Sequence, residues 1–153
     1  MLDFDAEEVT AYLHQHIPVT RAMQIQVLPE SKDALKLSAK LGPNLNHQET
    51  AFGGSIASLG ILAGWTLIHL RLRSDGCRYK IVIQKSEMEF LKPIESDFLG
   101  ECPFPDGQIW EQFYSGLQRK GRARVELQSR VTRDDEVAAV IKGTFVAKRL
   151  ESA

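Results

Sequence analysis

Residues 55–70 read S-I-A-S-L-G-I-L-A-G-W-T-L-I-H-L, and no rotation about a helix axis gives this segment a polar face. Ile56, Leu59, Ile61, Leu62, Trp65, Leu67 and Ile68 point in every direction, with Ala57, Gly60, Ala63 and Gly64 between them. A helix that is apolar all round has to be enclosed by the rest of the chain. The approach, Asn44 to Thr50, is a polar loop that tightens through Phe52-Gly53-Gly54-Ser55. The flanking segments are strand-like, so the enclosure is expected to be a sheet. Two glycines at the helix start let a ligand reach backbone N–H groups at the positive end of the helix dipole. About 20 apolar residues also suffice to cross a bilayer. Ser55, Ser58, Thr66, His69 and the glycines fall inside this segment and no second one exists, so no membrane span is expected.

The remaining segments supply the enclosure. Asp5 with Glu8 three residues on marks a helix start, followed by Val9, Tyr12 and Leu13 on one face and ended by Pro18. His14 and His16 are two apart, a poor metal spacing, and read as surface residues. Met23, Ile25 and Val27 alternate with glutamines, then Leu35 to Leu41 alternates with Lys36, Ser38 and Lys40, which predicts a hairpin. After the apolar helix and a Ser74-Asp75-Gly76 turn, Cys77 to Leu91 is strand-like. Its inward positions switch from odd (Tyr79, Ile81, Ile83) to even (Met88, Phe90), which predicts a bulge between Lys85 and Glu87. Asp97 to Cys102 is a fourth strand. Ile109, Phe113 and Leu117 space a short helix, and Arg122–Thr132 and Val137–Ala147 are the last two strands. The expected fold is α+β: an antiparallel sheet of about six strands around one long helix, in a single domain spanning residues 1–153.

Composition excludes several classes of function. A net charge of −1 with 25% charged residues gives no basic excess for nucleic acid. Two cysteines, Cys77 and Cys102, are too few for a disulfide scaffold and fit a reducing cytoplasm; both read as buried small side chains rather than nucleophiles. The acidic start, Met1-Leu2-Asp3-Phe4-Asp5, lacks the pattern of a signal peptide. A cytoplasmic location is the expectation. No metal-ligand spacing or dinucleotide loop is present.

Asn46, placed six residues before Phe52-Gly53-Gly54-Ser55, resembles the hot-dog superfamily of acyl-thioester enzymes, whose common motif has His where Phe52 stands. Pro43-Asn44-Leu45-Asn46, Thr50-Ala51-Phe52-Gly53-Gly54-Ser55 and Gly64-Trp65 are more closely similar to the thioesterase family named after the C-terminal half of YiiD-type acetyltransferases. Ile17-Pro18-Val19-Thr20, Phe90-Leu91-Lys92-Pro93 and Lys120-Gly121-Arg122-Ala123 support the likeness, which covers nearly the whole chain. The resemblance implies a homodimer or dimer of dimers, with sheets joined edge to edge and sites in the interface. It also implies a substrate carried on coenzyme A or on the phosphopantetheine of an acyl carrier protein. No separate cofactor is expected.

The chemistry needs stabilisation of negative charge on a thioester carbonyl oxygen, which backbone N–H groups at a helix start supply. Gly53 and Gly54 are placed for this, and the resemblance points to Gly54; close packing is the alternative use of both. Asn46 can donate to an anion or orient water but cannot act as a base, and its alternative is a turn. Asn44, after Pro43, is the better turn residue. Thr50 is expected to cap the helix or touch substrate. Phe52 and Ser55 flank the same point, and Ser58 is expected to bond back onto the helix. His47 alone nearby has an acid–base side chain suited to neutral pH, although the motif does not mark it. Leu59 to Ala63 lacks the carboxylate with which many hot-dog thioesterases activate water; only Glu49 and Glu111 stand elsewhere as substitutes. Three functions follow in order: thioester hydrolysis, decarboxylation of a malonyl thioester, which needs no base, and non-catalytic acyl-CoA binding. Arg119, Lys120, Arg122 and Arg124 are candidates for contact with carrier phosphates.

Overall fold

The computed structural model describes residues 2–151. Its centre is α3, Gly53–Leu72, twenty residues long, with Leu59, Ala63, Leu67 and Ile68 fully excluded from solvent. This helix is long and apolar enough to span a bilayer by composition, but 67% of that stretch is buried inside the fold.

Six strands form one antiparallel sheet: β1 (Gln26–Val27), β2 (Ala34–Ala39), β3 (Tyr79–Phe90), β4 (Phe98–Pro103), β5 (Arg122–Arg133) and β6 (Glu136–Arg149). Their order is β1-β2-β4-β5-β6-β3, which leaves β3, twelve residues long, with a free edge. Alternation decides which face meets the helix. Val125, Leu127, Ser129 and Val131 of β5 and Ile141 and Phe145 of β6 are buried, while Arg122, Arg124, Glu126, Gln128 and Arg130 face outward. The helix comes close enough that a side-chain carbon at Gly64 would stand 2.9 Å from the Phe145 ring. This is the sheet wrapped round one helix that the hot-dog resemblance implies.

Two further helices flank the C-terminal half of α3. In α1, Ala6–His16, Asp5 caps the N-terminus by accepting from the Glu7 and Glu8 N–H groups at 2.9 and 3.1 Å, and Val9 and Leu13 are buried. In α4, Gly107–Lys120, Phe113 and Leu117 are buried, and the Arg71 guanidinium at the end of α3 lies 4.9 Å from the Trp110 ring.

Several boundaries differ from the sequence reading. A further turn of helix, α2 (Val19–Ala22), follows Pro18, and Gln24 takes a left-handed φ of 53°, so only Gln26 and Val27 remain to pair as β1. The bulge falls between Ile83 and Lys85, two residues earlier than expected, because residues 84–87 carry no apolar side chain to mark the change of phase. Asp97 lies before β4, where its carboxylate accepts from the Leu41 N–H at 2.8 Å. Cys77 is exposed rather than buried; Cys102 is fully buried. His14 is half-buried, its ring nitrogen 2.7 Å from the Ile25 carbonyl oxygen, whereas His16 is exposed.

Candidate active site

The loop before α3 is a small closed structure. Leu45 and Ala51 pair across it, and the Asn46 N–H donates to the Thr50 carbonyl at 2.8 Å. The Asn46 side-chain oxygen accepts from the Gln48 and Thr50 N–H groups at 2.8 and 3.1 Å, which fixes the orientation of its amide. Its nitrogen donates to the Thr50 hydroxyl at 2.8 Å. Asn46 therefore shapes the turn and keeps one amide hydrogen free, and the Thr50 hydroxyl keeps its own. Thr50 does not cap α3. The residue at that position is Phe52, which offers no side-chain acceptor.

Asn44 anchors the assembly from below. It is 2% exposed, and its amide donates to the carbonyls of Met23 and Lys40 at 2.9 and 2.6 Å. Its own carbonyl accepts from the Phe52 N–H at 2.7 Å, while the Ala51 N–H donates to Ile94 at 2.8 Å. This residue, read as a turn former, is a buried clamp that aims the chain into the helix.

At the helix start, the N–H groups of Ser55 and Ile56 turn back to the Phe52 carbonyl at 2.9 and 3.1 Å. Those of Gly53 and Gly54 find no acceptor among the described residues, as expected for the first positions of a helix. No acidic side chain lies in the first turn to occupy them. The Phe52 ring folds over Gly54, with its Cζ 2.9 Å from where a side-chain carbon would stand. The Phe90 ring, from the end of β3, lies 3.7 Å from the equivalent point on Gly53. Phe52 and Phe90 are 56% and 53% exposed, so the tip is bordered by aromatic rings yet open to solvent.

Ser55 is half-buried beside this tip, and the Ser58 hydroxyl donates back to the Gly54 carbonyl at 2.8 Å. His47 and Glu49 are exposed on the loop, and Glu111 is exposed on α4. One turn beyond the tip begins an apolar recess of about 250 Å³, lined by Ser58, Ile61, Leu62, Trp65, Met23 and Ile83. Trp65 ends it, its indole N–H donating to the Ile81 carbonyl at 3.0 Å. The structure thus joins Asn46 to Thr50 and Phe52 to Gly54, and leaves His47 outside. Trp65 and Phe90 were not singled out from the sequence. The Gly64-Trp65 pair was the signal for one, and for the other the phase of β3 and the Phe90-Leu91-Lys92-Pro93 segment.

The family described as "Putative thioesterase (yiiD_Cterm)" matches residues 6–149. The structure of a "putative thioesterase from Shewanella oneidensis" superposes with a TM-score of 0.83 at 29% identity, covering 94% of this chain and 96% of that one. A protein of unknown function from Chlorobaculum tepidum TLS gives a TM-score of 0.88 at 23% identity, covering 94% of each chain. A thioesterase from Haemophilus influenzae gives 0.74 at 14% identity, covering 99% and 98%. The last two speak for the fold alone. The fold is the hot-dog fold, and with a match over nearly all of its length the chain belongs to the yiiD_Cterm thioesterase family.

Proposed function

We propose that this protein hydrolyses acyl thioesters at the start of α3. The observation that carries the reading is the pair of unbonded N–H groups at Gly53 and Gly54, at the positive end of a buried twenty-residue helix. Such donors, fixed in advance, stabilise the oxyanion of a tetrahedral intermediate; one donor contributes roughly 3 kcal/mol to lowering the barrier. Gly54 is the principal donor. Asn46, through its free amide hydrogen, and Thr50, through its hydroxyl, orient water or the carbonyl beside it. Phe52, Gly53 and Ser55 border the thioester, and the acyl chain runs along α3 into the recess that begins at Ser58. His47 faces solvent and stays outside the reaction in this reading.

The working unit is a homodimer joined along β3. A free, twelve-residue edge strand is a pairing template that soluble proteins rarely leave open. Its outward side chains are self-complementary: Lys80 stands near one end and Glu87 and Glu89 near the other. Antiparallel pairing about the bulge sets each lysine against the carboxylates of the partner strand. It also brings each Phe90 end beside the Tyr79 end of the other strand, which encloses a helix tip that is open in the single chain.

The test is to incubate the protein with saturated and malonyl thioesters of coenzyme A and of acyl carrier protein, measuring released thiol and CO₂. Thiol release from saturated substrates supports hydrolysis. CO₂ from the malonyl thioester without free thiol would replace it with decarboxylation, and binding without either product would make the chain an acyl-CoA-binding module.

A further inference from the structure

The bases on the tip's own loop face solvent: His47 and Glu49 are exposed, and residues 59–63 hold no carboxylate. A histidine with no part in the reaction so far stands at the other end of α3. His69 is half-buried, its ring clamped between Tyr12 at 4.7 Å and Trp65 at 5.0 Å. Stacking on both faces fixes the ring and presents only its edge. That edge lines a recess of about 330 Å³ together with Arg73, Cys77, Arg78 and Tyr79. Neither ring nitrogen has a hydrogen-bond partner among the described residues, and neither is sealed from solvent. Packing alone gives no reason to hold an imidazole in this way, since polar groups withdrawn from water normally find partners.

The surroundings keep this imidazole neutral. Arg73 follows α3, Arg78 precedes β3, and His16 of α1 stacks on the far face of Tyr12 at 4.1 Å. The carboxylates nearby are already engaged: Glu8 of α1 pairs with Arg73 at 3.7 Å, and Asp75 accepts from the hydroxyls of Tyr79 and Tyr114. Burial, then the charges of Arg73 and His16, leave His69 an acceptor rather than a donor of protons at pH 7. Position completes the case. The recess meets β3 at Tyr79 and Ile81, whereas the tip at Gly53 meets it at Phe90, the opposite end. Within one chain His69 lies about 24 Å along the helix from Gly53. Antiparallel pairing of two β3 edges brings the Tyr79 end of one strand beside the Phe90 end of the other.

We propose that His69 of one protomer is the general base for the helix tip of the other. The inference rests on the hydrolase reading and on its β3-paired dimer. His69 takes a proton from water as the water oxygen bonds to the thioester carbonyl carbon, and the oxyanion forms on the Gly54 N–H. Collapse of the intermediate breaks the C–S bond, and the imidazolium returns its proton to the leaving sulfur. The products are a free thiol and a carboxylic acid, which ionises to solvent. Tyr12 and Trp65 are positioning residues that hold the ring in one orientation before substrate arrives.

The experiment co-expresses two differently tagged variants, each defective in one half of the site. One is His69→Gln; the other is Phe52→Ala with Gly54→Pro, which removes the tip N–H. The purified hybrid dimer keeps one complete site, with the tip of the first chain and His69 of the second. Each parent dimer should lose about 10²-fold or more in kcat for acyl-thioester hydrolysis, and the hybrid should recover to about half of wild type. The acid limb of the wild-type kcat profile, set by a group titrating below pH 6.5, should be absent from His69→Gln. Imidazole should restore turnover to His69→Ala and not to the tip variant, while His16→Gln keeps the wild-type kcat. A hybrid no more active than its parents would overturn the placement of His69 across the interface. His69→Gln with wild-type kcat and pH profile would overturn the proposal and leave hydrolysis standing. A wild type that turns over no thioester would remove the hydrolase reading and this base together.

Discussion

The Trp65 indole N–H is held by the Ile81 carbonyl at 3.0 Å, which fixes the bulkiest side chain of α3 across the gap between helix and edge strand. On one side lies the apolar recess that begins at Ser58. On the other lies a recess of about 330 Å³ with a different lining, including Tyr12, His69, Arg73, Cys77 and Arg78. Trp65 is a wall between greasy and polar space.

In the proposed hydrolase that wall would set the acyl length. From Gly54 to Trp65 the helix rises about 16 Å, the reach of roughly a dozen carbons. Trp65→Ala is expected to move the preferred chain to longer acyl groups, each newly buried methylene contributing about 0.8 kcal/mol, or roughly fourfold in kcat/KM. Short-chain turnover should be little changed. A series of saturated acyl-CoA substrates measures this, and an unshifted optimum would place the chain elsewhere.

Gly64 is one of the positions where helix and sheet approach with little room to adjust. A methyl there would stand 2.9 Å from the Phe145 ring, which is only 2% exposed. Gly64→Ala should cost about 1–3 kcal/mol despite the better helix propensity of alanine. Gly107→Ala, at the start of α4 with open space around it, should be neutral or slightly stabilising. Urea unfolding of both variants checks the contrast.

His69 is stacked between Tyr12, 4.7 Å away, and Trp65, 5.0 Å away, with His16 stacked on the far face of Tyr12. Burial, then the charges of Arg73 and His16, hold its pKa below the ordinary 6.5. The unfolded chain therefore binds this proton more readily than the folded one. The stabilisation is fully present above pH 6.5 and is lost as the pH falls through the lowered value. Melting temperature should drop between pH 7 and pH 5, and His69→Gln should flatten that drop. Equal slopes in the two proteins would assign the acid sensitivity to other groups.

The two thiols should separate in reactivity. Cys77 is exposed, whereas burial raises the pKa of Cys102 to about 11. Titration of the native protein with a disulfide reagent should label Cys77 promptly and Cys102 only on unfolding. Fast labelling of both would mean that the β4–β5 layer opens readily.

The fold was legible because its largest signals are periodic. The absence of a polar face over residues 56–68 required an enclosing layer, and the strict alternation of Ala123 to Val131 showed which face of β5 met it. Boundaries were legible only where an apolar residue marked them, so the bulge at Gln84 was displaced toward Glu87. Cys77 was misread because it was counted into the strand that follows the Ser74-Asp75-Gly76 turn, whereas β3 begins only at Tyr79. The helix-start glycines could be named from motif and dipole. The clamp at Asn44 and the position of Trp65 depend on contacts between distant segments. Thr50 looked like a cap because it precedes a helix, but the competing bond from Asn46 claims its hydroxyl.

The central claim is that the Gly54 N–H stabilises the oxyanion, and proline substitution tests it by removing that single hydrogen. Proline is tolerated at the first helical position, and Phe52 already has the extended conformation (φ −62°, ψ 133°) that precedes proline. Gly53→Pro is thus the unstrained control, Gly54→Pro presses in addition on the helical backbone of Gly53, and a Phe52→Ala background relieves the ring overlap at position 54. The measurement is kcat for acyl-thioester hydrolysis in Phe52→Ala alone and combined with each proline. The expected result is a loss of about 10²–10³ with Gly54→Pro and a much smaller loss with Gly53→Pro. Folded Gly54→Pro protein that turns over at the Phe52→Ala rate would contradict the account.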